Sequence, residues 1–300
     1  MSEVTSDLQR VEHKLRVYNS PGLDGSSVEI LNTVHIVTES NKELVMRLVT
    51  DVDNHDRFFY TDLNGYQVPS EFKHLSLVLS NNRLCKLDDL SQIIRRKWYS
   101  KLPIQGNFYP MPSTAFIEDD NYRVSLVSAQ SLGVASLEKG WLEIVQDRRL
   151  MQDDNRGVGQ GVRDNKRTPN RFRLLLEPRV DSKNKVPHQP MGYTSAQAYL
   201  SSLETAHSVV IIPKKSLVSL PTLRDQMQLV GENLPCDLHV VNIRTLQAEE
   251  SSAEDFRPSE HAALLLHRSA IDCSFELLGV SCQTANSKVR SVSVSQISNS

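Results

Sequence analysis

Apolar residues recur at alternate positions in short runs along this chain: Leu15 and Val17, Val28 and Ile30, Val34 and Ile36, then Tyr122, Val124 and Leu126, then Trp141 and Val145 around Ile144. Successive side chains of a strand point to opposite faces, so each run is a strand signature. Runs at 209–212, 238–243 and 262–266 are more continuously apolar and predict strands buried on both faces. Turn signals divide them: Ser20-Pro21-Gly22, Asp24-Gly25, Asn64-Gly65 and Lys139-Gly140, where Gly or Asn tolerates positive φ. Strand, turn, strand at this spacing predicts an antiparallel β-sandwich rather than a parallel βαβ sheet. Helical patterns are confined to 195–203 and 84–98. The stretches 179–190 and 248–259 read as solvated loops, and 291–300 as an unpaired strand or a frayed end.

Composition narrows this picture only modestly. With 300 residues, 39% of them hydrophobic, the chain can bury one large core or two smaller ones. Lys and Arg number 34 against 36 Asp and Glu, a net charge of −2 that supplies no field for a polyanion. Nucleic acid is therefore not an expected partner. No uninterrupted apolar run approaches the ~18 residues of a membrane span, and the residues after Met1 are polar, so neither a transmembrane segment nor a targeting segment is expected in this chain. The four cysteines, Cys85, Cys236, Cys273 and Cys282, contain no C-x-x-C pair. They allow three pairings, and spacing leaves reduced buried thiols and disulfides both open.

The densest polar run is Asp147-Arg148-Arg149-Leu150-Met151-Gln152-Asp153-Asp154-Asn155-Arg156-Gly157, continuing to Gly159, Gln160 and Gly161. It follows the apolar run 141–145, which places it in a loop projected from a rigid strand, where binding groups tend to lie. Asp153 and Asp154 invite comparison with a glycosidase pair. A retaining enzyme needs carboxyls about 5–5.5 Å apart across one sugar, whereas neighbours on an extended backbone diverge. The preferred reading is a structural network in which the acids orient Arg148, Arg149 and Arg156. The glycines at 157, 159 and 161 do not form the G-x-G-x-x-G phosphate motif. Nine histidines show no metal-binding spacing, and His35 and His239, within strand-like runs, read as structural. The basic run Arg95-Arg96-Lys97 beside Trp98 and Tyr99, and Arg171 and Arg173 around Phe172, read as solvated strand edges rather than a phosphate-binding face.

Particular wording carries the chain further. Tyr109-Pro110-Met111-Pro112, the run from Ser128 to Leu137, Asp147 through Gly161, and Asp164-Asn165-Lys166 resemble the C-terminal region of class II α-mannosidases, glycoside hydrolase family 38. The segments from Phe59 to Gln67, Leu234 to His239 and Ala262 to Arg268 agree with it, and the wording is most similar to the Golgi II/IIx type.

That resemblance implies a galactose-mutarotase-like β-sandwich, truncated, whose N-terminal strands occupy 1–68. An atypical insertion, disordered or helical and projecting from the sandwich, is expected at 69–100. A central sandwich carrying the polar loop follows at 101–178, then a loop and short helix at 179–208 and a C-terminal β region at 209–300. The family's enzymes are zinc-dependent retaining α-mannosidases that trim N-glycans in the Golgi lumen. Their zinc ligands, nucleophile and acid/base lie in an N-terminal barrel, so the resemblance implies no catalytic residue and no bound zinc here, and an inactive chain when alone. It places Arg156, supported by Asp153, Asp154 and Gly157, against the sugar. An N-glycan oligosaccharide, the barrel and, for the full-length enzyme, a second copy are the implied partners. The alternative is a non-catalytic carbohydrate-binding or interaction module.

Overall fold

The computed structural model describes residues 1–8, 10–62, 93–153, 155, 157, 159–180, 192–208, 234–248 and 257–282. Its strands are antiparallel and form two main sheets. The larger has eight strands in the order β1 (Ser2–Leu8), β2 (Val11–Val17), β3 (Val28–Val34), β12 (Thr168–Pro178), β9 (Tyr122–Ser128), β8 (Thr114–Glu118), β5 (Phe59–Asp62) and β6 (Ile93–Arg96). The smaller runs β4 (Lys42–Val49), β11 (Trp141–Arg149), β10 (Leu132–Ala135) and β7 (Tyr109–Met111). The alternating positions of the sequence explain the core between them. Ile30, Ile117, Leu126 and Phe172 from the large sheet meet Met111, Val134, Leu142 and Ile144 from the small one, all buried. Each such side chain contributes about 1.5–3 kcal/mol by leaving water. The sandwich expected from the sequence is the fold observed.

The opposite face of the large sheet is also buried over β8, β9 and β12, although several of its residues there are polar. Arg123 on β9 is closed to solvent; its guanidinium donates to Glu118 Oε2 at 2.8 and 2.7 Å, to Asp272 Oδ2 at 2.7 Å and to the Tyr193 carbonyl at 3.1 Å. The Phe116 and Phe275 rings lie 4.0 and 4.2 Å from its central carbon. Helix α1 (Ala196–Ala206) packs on β9 and β12 over this face. Ser195 caps α1 by accepting from Ala198 N at 3.0 Å, and the same hydroxyl donates to Glu177 on β12. The helical pattern at 195–203 is thus realised one turn longer.

Two expectations are corrected. The helical reading of 84–98 fails where it can be compared. Ile93–Arg96 is β6, with Ile93 opposite Asp62 and fully buried against Tyr60 and Phe116. Pairing at a sheet edge and burial of one apolar side chain override a local helical pattern. The rest of the expected insertion, 69–92, lies outside the described residues, as does the run 209–212. The runs at 238–243 and 262–266 are strands, but not doubly buried ones. They form a separate two-stranded ribbon, β13 (Leu238–Gln247) with β14 (Pro258–Arg268), on which Ile243 and Leu265 are 59% and 52% exposed. A lone ribbon has no second sheet to cover both its faces.

Of the open cysteine alternatives, the fold takes the disulfide: Cys236 bonds Cys282 with Cα atoms 5.5 Å apart, and Cys273 is also disulfide-bonded. Glycine is required at the predicted turn 139–140. Gly140 has φ +74° and a Cβ there would lie 2.2 Å from the Thr50 carbonyl oxygen.

Candidate functional site

β11 is an inner strand of the small sheet, and its last residues lead directly into the polar run. Gln146 is an extra residue in its ladder with β4, since Val145 pairs with Val45 and Asp147 with Leu44. Such a bulge redirects the side chains that follow. Gln146 turns inward and accepts from Asn32 Nδ2 of the opposite sheet at 3.2 Å.

Beyond it, the arms 147–151 and 161–166 close on each other as a stem. Leu150 N donates to the Val162 carbonyl at 3.0 Å, and Arg163 Nη2 to the Met151 carbonyl at 2.9 Å. Arg149 is the centre of this stem. Its Nε donates to the Glu39 carbonyl, and its Nη1 to the Arg163 carbonyl and Asn165 Oδ1, each at 3.0 Å. Asn165 in turn donates to Asp147 Oδ1 and to the Arg148 carbonyl, both at 2.8 Å. Close approach demands glycine at 161, where a Cβ would fall 2.2 Å from the Leu150 carbonyl oxygen.

The sequence predicted a network in which the loop's own acids orient its arginines. Arg149 is instead held by carbonyl oxygens and an amide, and Arg148 pairs at 3.3 Å with Glu43, an acid of β4. The Glu39 carbonyl, just before β4, and the Arg163 carbonyl of the returning arm converge on Arg149, so a planar fork of donors fits without an acid.

The tip differs from the stem. Asp153 Oδ2 accepts from Gly159 N at 2.9 Å, which pins one side of the tip to the other. Asn155, Gly157 and Gly159 all have positive φ, at 56°, 116° and 69°. Exposed Gly157 has open space around its Cβ position, so its glycine serves the backbone turn rather than close packing. Of the four sequence-predicted site residues, Asp153 and Gly157 lie at this tip, while Asp154 and Arg156 lie outside the described residues. Arg171 and Arg173, expected on a solvated edge, belong to inner strand β12 and pair with Glu29 and Asp24 at 2.8 and 2.7 Å. Arg95 and Arg96 are on edge strand β6, over the rings of Phe58 and Tyr109.

Zinc is the one cofactor the resemblance implied. Among the described residues no group of three or more His, Cys, Asp or Glu side chains is arranged to hold a metal ion. Also among them, no helix is long and apolar enough to cross a membrane.

An antiparallel sandwich whose smaller sheet projects a pinned polar loop defines a β domain of the sandwich class. The family model for the glycosyl hydrolases family 38 C-terminal domain matches residues 2–156. Mouse alpha-mannosidase 2 is 39% identical over 293 residues, the human protein of that name 40% over 292, and mouse alpha-mannosidase 2x 40% over 295. Each alignment covers 96% of this chain and 23% of the relative. The chain belongs to glycosyl hydrolase family 38, as part of its C-terminal region, and spans less than a quarter of the length of those relatives.

Proposed function

We propose that this chain is the C-terminal β portion of an α-mannosidase and that the tip of the 147–161 loop completes a sugar pocket through Arg156. The observation that carries the reading is the contrast between a stem fixed through Arg149 and a glycine-rich, exposed tip. A stem of this kind holds a side chain at the tip in place, and a guanidinium presents its donors to sugar oxygens in fixed directions as lysine cannot. Asp153 accepts from Gly159 N and helps shape the tip; in this reading Asp153, Asp154 and Gly157 support Arg156.

In this reading the nucleophile, acid/base and zinc belong to an upstream barrel of the parent polypeptide, which also docks against this domain. Terminal α-mannosyl residues of N-glycans are the substrate, and the retaining reaction requires both parts. The Cys236–Cys282 disulfide supports an oxidising compartment such as the Golgi lumen. The test is Arg156→Ala in the complete enzyme. A network that tightens in the transition state predicts a fall in kcat/KM of about ten-fold or more, equivalent to ~1.4 kcal/mol. Unchanged kinetics refute the role of Arg156. The 300-residue chain alone is expected to leave an aryl α-mannoside intact with or without added zinc, and cleavage by it would overturn the division of labour.

A further inference from the structure

A cleft of about 260 Å³ opens where the end of β5, the start of β8, helix α1 and the β13–β14 ribbon meet. None of its described lining residues comes from the 147–166 loop. We propose that this cleft binds one neutral, polyhydroxylated small molecule of monosaccharide size.

The wall chemistry selects that class. Ser113, Thr114, Ser131, Thr194, Ser202, Ser269 and Tyr199 contribute hydroxyl-bearing side chains to the lining, joined by His239 and His267, while Ile93, Pro112 and Leu203 supply apolar wall. Hydroxyls both donate and accept, which matches a ligand whose own groups do the same. Among the described lining residues there is no Lys or Arg to neutralise a phosphate or carboxylate. The one carboxylate, Asp62, is already occupied: Ser113 N and Thr114 N donate to it at 3.0 Å, and the Ser113 hydroxyl donates as well. It has little capacity left to hold a cation. Burial pushes the His239 pKa down, with His207 and His267 adding to the effect, and pushes the Tyr199 phenol up, so both present uncharged groups at neutral pH.

Three of the lining hydroxyls also lack partners. Thr194 Oγ1, Tyr199 Oη and Ser269 Oγ are buried and make no hydrogen bond; the Tyr199 and Ser269 groups are near each other without adequate geometry for one. An unpaired buried hydroxyl destabilises a fold, and three on the walls of one cleft concentrate that cost in a single place. They are closed to water in this conformation, and rotation about χ1 moves the Thr194 and Ser269 oxygens to other staggered positions. A ligand rich in hydroxyls offers each of them a partner. The volume suits one ring with its substituents rather than an oligosaccharide, being below the ~300–1,000 Å³ usual for drug-sized ligands.

The test is titration of the 300-residue chain with methyl α-D-mannoside, D-glucose and myo-inositol, followed by calorimetry and saturation-transfer NMR. Glucose 6-phosphate and glucosamine serve as charged probes. At least one neutral probe is expected to bind with a dissociation constant on the order of 1–10 mM, the range a dozen heavy atoms support, and both charged probes more weakly. Tyr199→Phe and Thr194→Val are each expected to weaken binding by about ten-fold while the thermal melt stays cooperative. Ser202→Trp, which occludes the cleft from a half-buried position on α1, is expected to abolish it. Absence of binding by every neutral probe, equal binding of the phosphate, or full binding by folded Ser202→Trp overturns the proposal. Binding that disappears in Arg156→Ala would place the sugar at the loop instead, and overturns it too.

Discussion

Arg123 and Asp272 are 149 residues apart in sequence, yet the guanidinium lies 2.7 Å from the carboxylate with both side chains shut away from solvent. The pair fastens the segment after β14 to the back of the large sheet. Glu118 is a second carboxylate on Arg123, and Phe116 and Phe275 cover the guanidinium faces. Arg123→Met removes the cation and leaves Glu118 and Asp272 buried together. The expected loss is about 3–5 kcal/mol, because an uncompensated buried charge costs more than the pair contributes. A urea midpoint equal to that of the unmodified chain would show that the carboxylates find other partners.

The Cys236–Cys282 disulfide closes a loop of sequence separation 46 that contains the whole β13–β14 ribbon. Cross-linking acts mainly by restricting the unfolded chain, and a loop of this length corresponds to roughly 3–4 kcal/mol. Cys282→Ser is therefore expected to lower the unfolding free energy by about that amount, as measured by denaturant titration under non-reducing conditions. The same experiment on reduced protein should abolish the difference between the two chains.

His239 gives the ribbon a pH dependence. It faces His267 directly across the β13–β14 ladder, and its ring centroid is 5.5 Å from that of His207 at the end of α1. Burial, then the two neighbouring imidazoles, depress its pKa below the ordinary 6.5. The folded state therefore prefers the neutral ring. Its contribution to stability is complete above the unfolded value of about 6.5 and is lost as pH falls through the lower folded value. Amide exchange in β13 and β14, corrected for its intrinsic pH dependence, should accelerate on acidification from pH 7.5 to 5. His239→Gln should flatten that dependence, and an unaltered profile would assign the effect to other groups.

Arg149 makes the stem of the 147–166 loop through three hydrogen bonds. Arg149→Ala leaves the Glu39 and Arg163 carbonyls without their charged donor, at an expected cost of about 1–3 kcal/mol. Protection of the Leu150 and Met151 amides should fall accordingly, and proteolysis at 152–160 should quicken. Gly161→Ala is expected to act in the same direction through its clash with the Leu150 carbonyl oxygen. If Arg149→Ala left amide protection unchanged, the stem would be held by backbone pairing alone.

Period-two patterning made most of the sandwich legible. Val124 and Leu126, or Val28 and Ile30, alternate because one face of each strand meets the core, and that constraint is local enough to read from the chain. The turn at Gly140, the Ser195 cap and the projection of the 147–161 run beyond β11 are local in the same sense. The Arg123 network was not legible. Nothing in the run Tyr122, Arg123, Val124 and Ser125 reveals that α1 and the 269–275 segment will cover its polar side chains. The His207, His239 and His267 grouping escaped for the same reason, since each histidine comes from a different element.

The sequence by itself determined which residues alternate, where the chain must turn and which polar run is carried out from a strand, because those depend on neighbours a few residues away. Only the tertiary structure decided that the polar face of β9 is dry, that Arg149 binds carbonyls rather than acids, that Cys236 meets Cys282 and that a hydroxyl-lined cleft forms beside α1. Each of these depends on groups brought together across tens or hundreds of residues, and burial, the physical quantity that sets their energies, is a property of the assembled fold rather than of any segment.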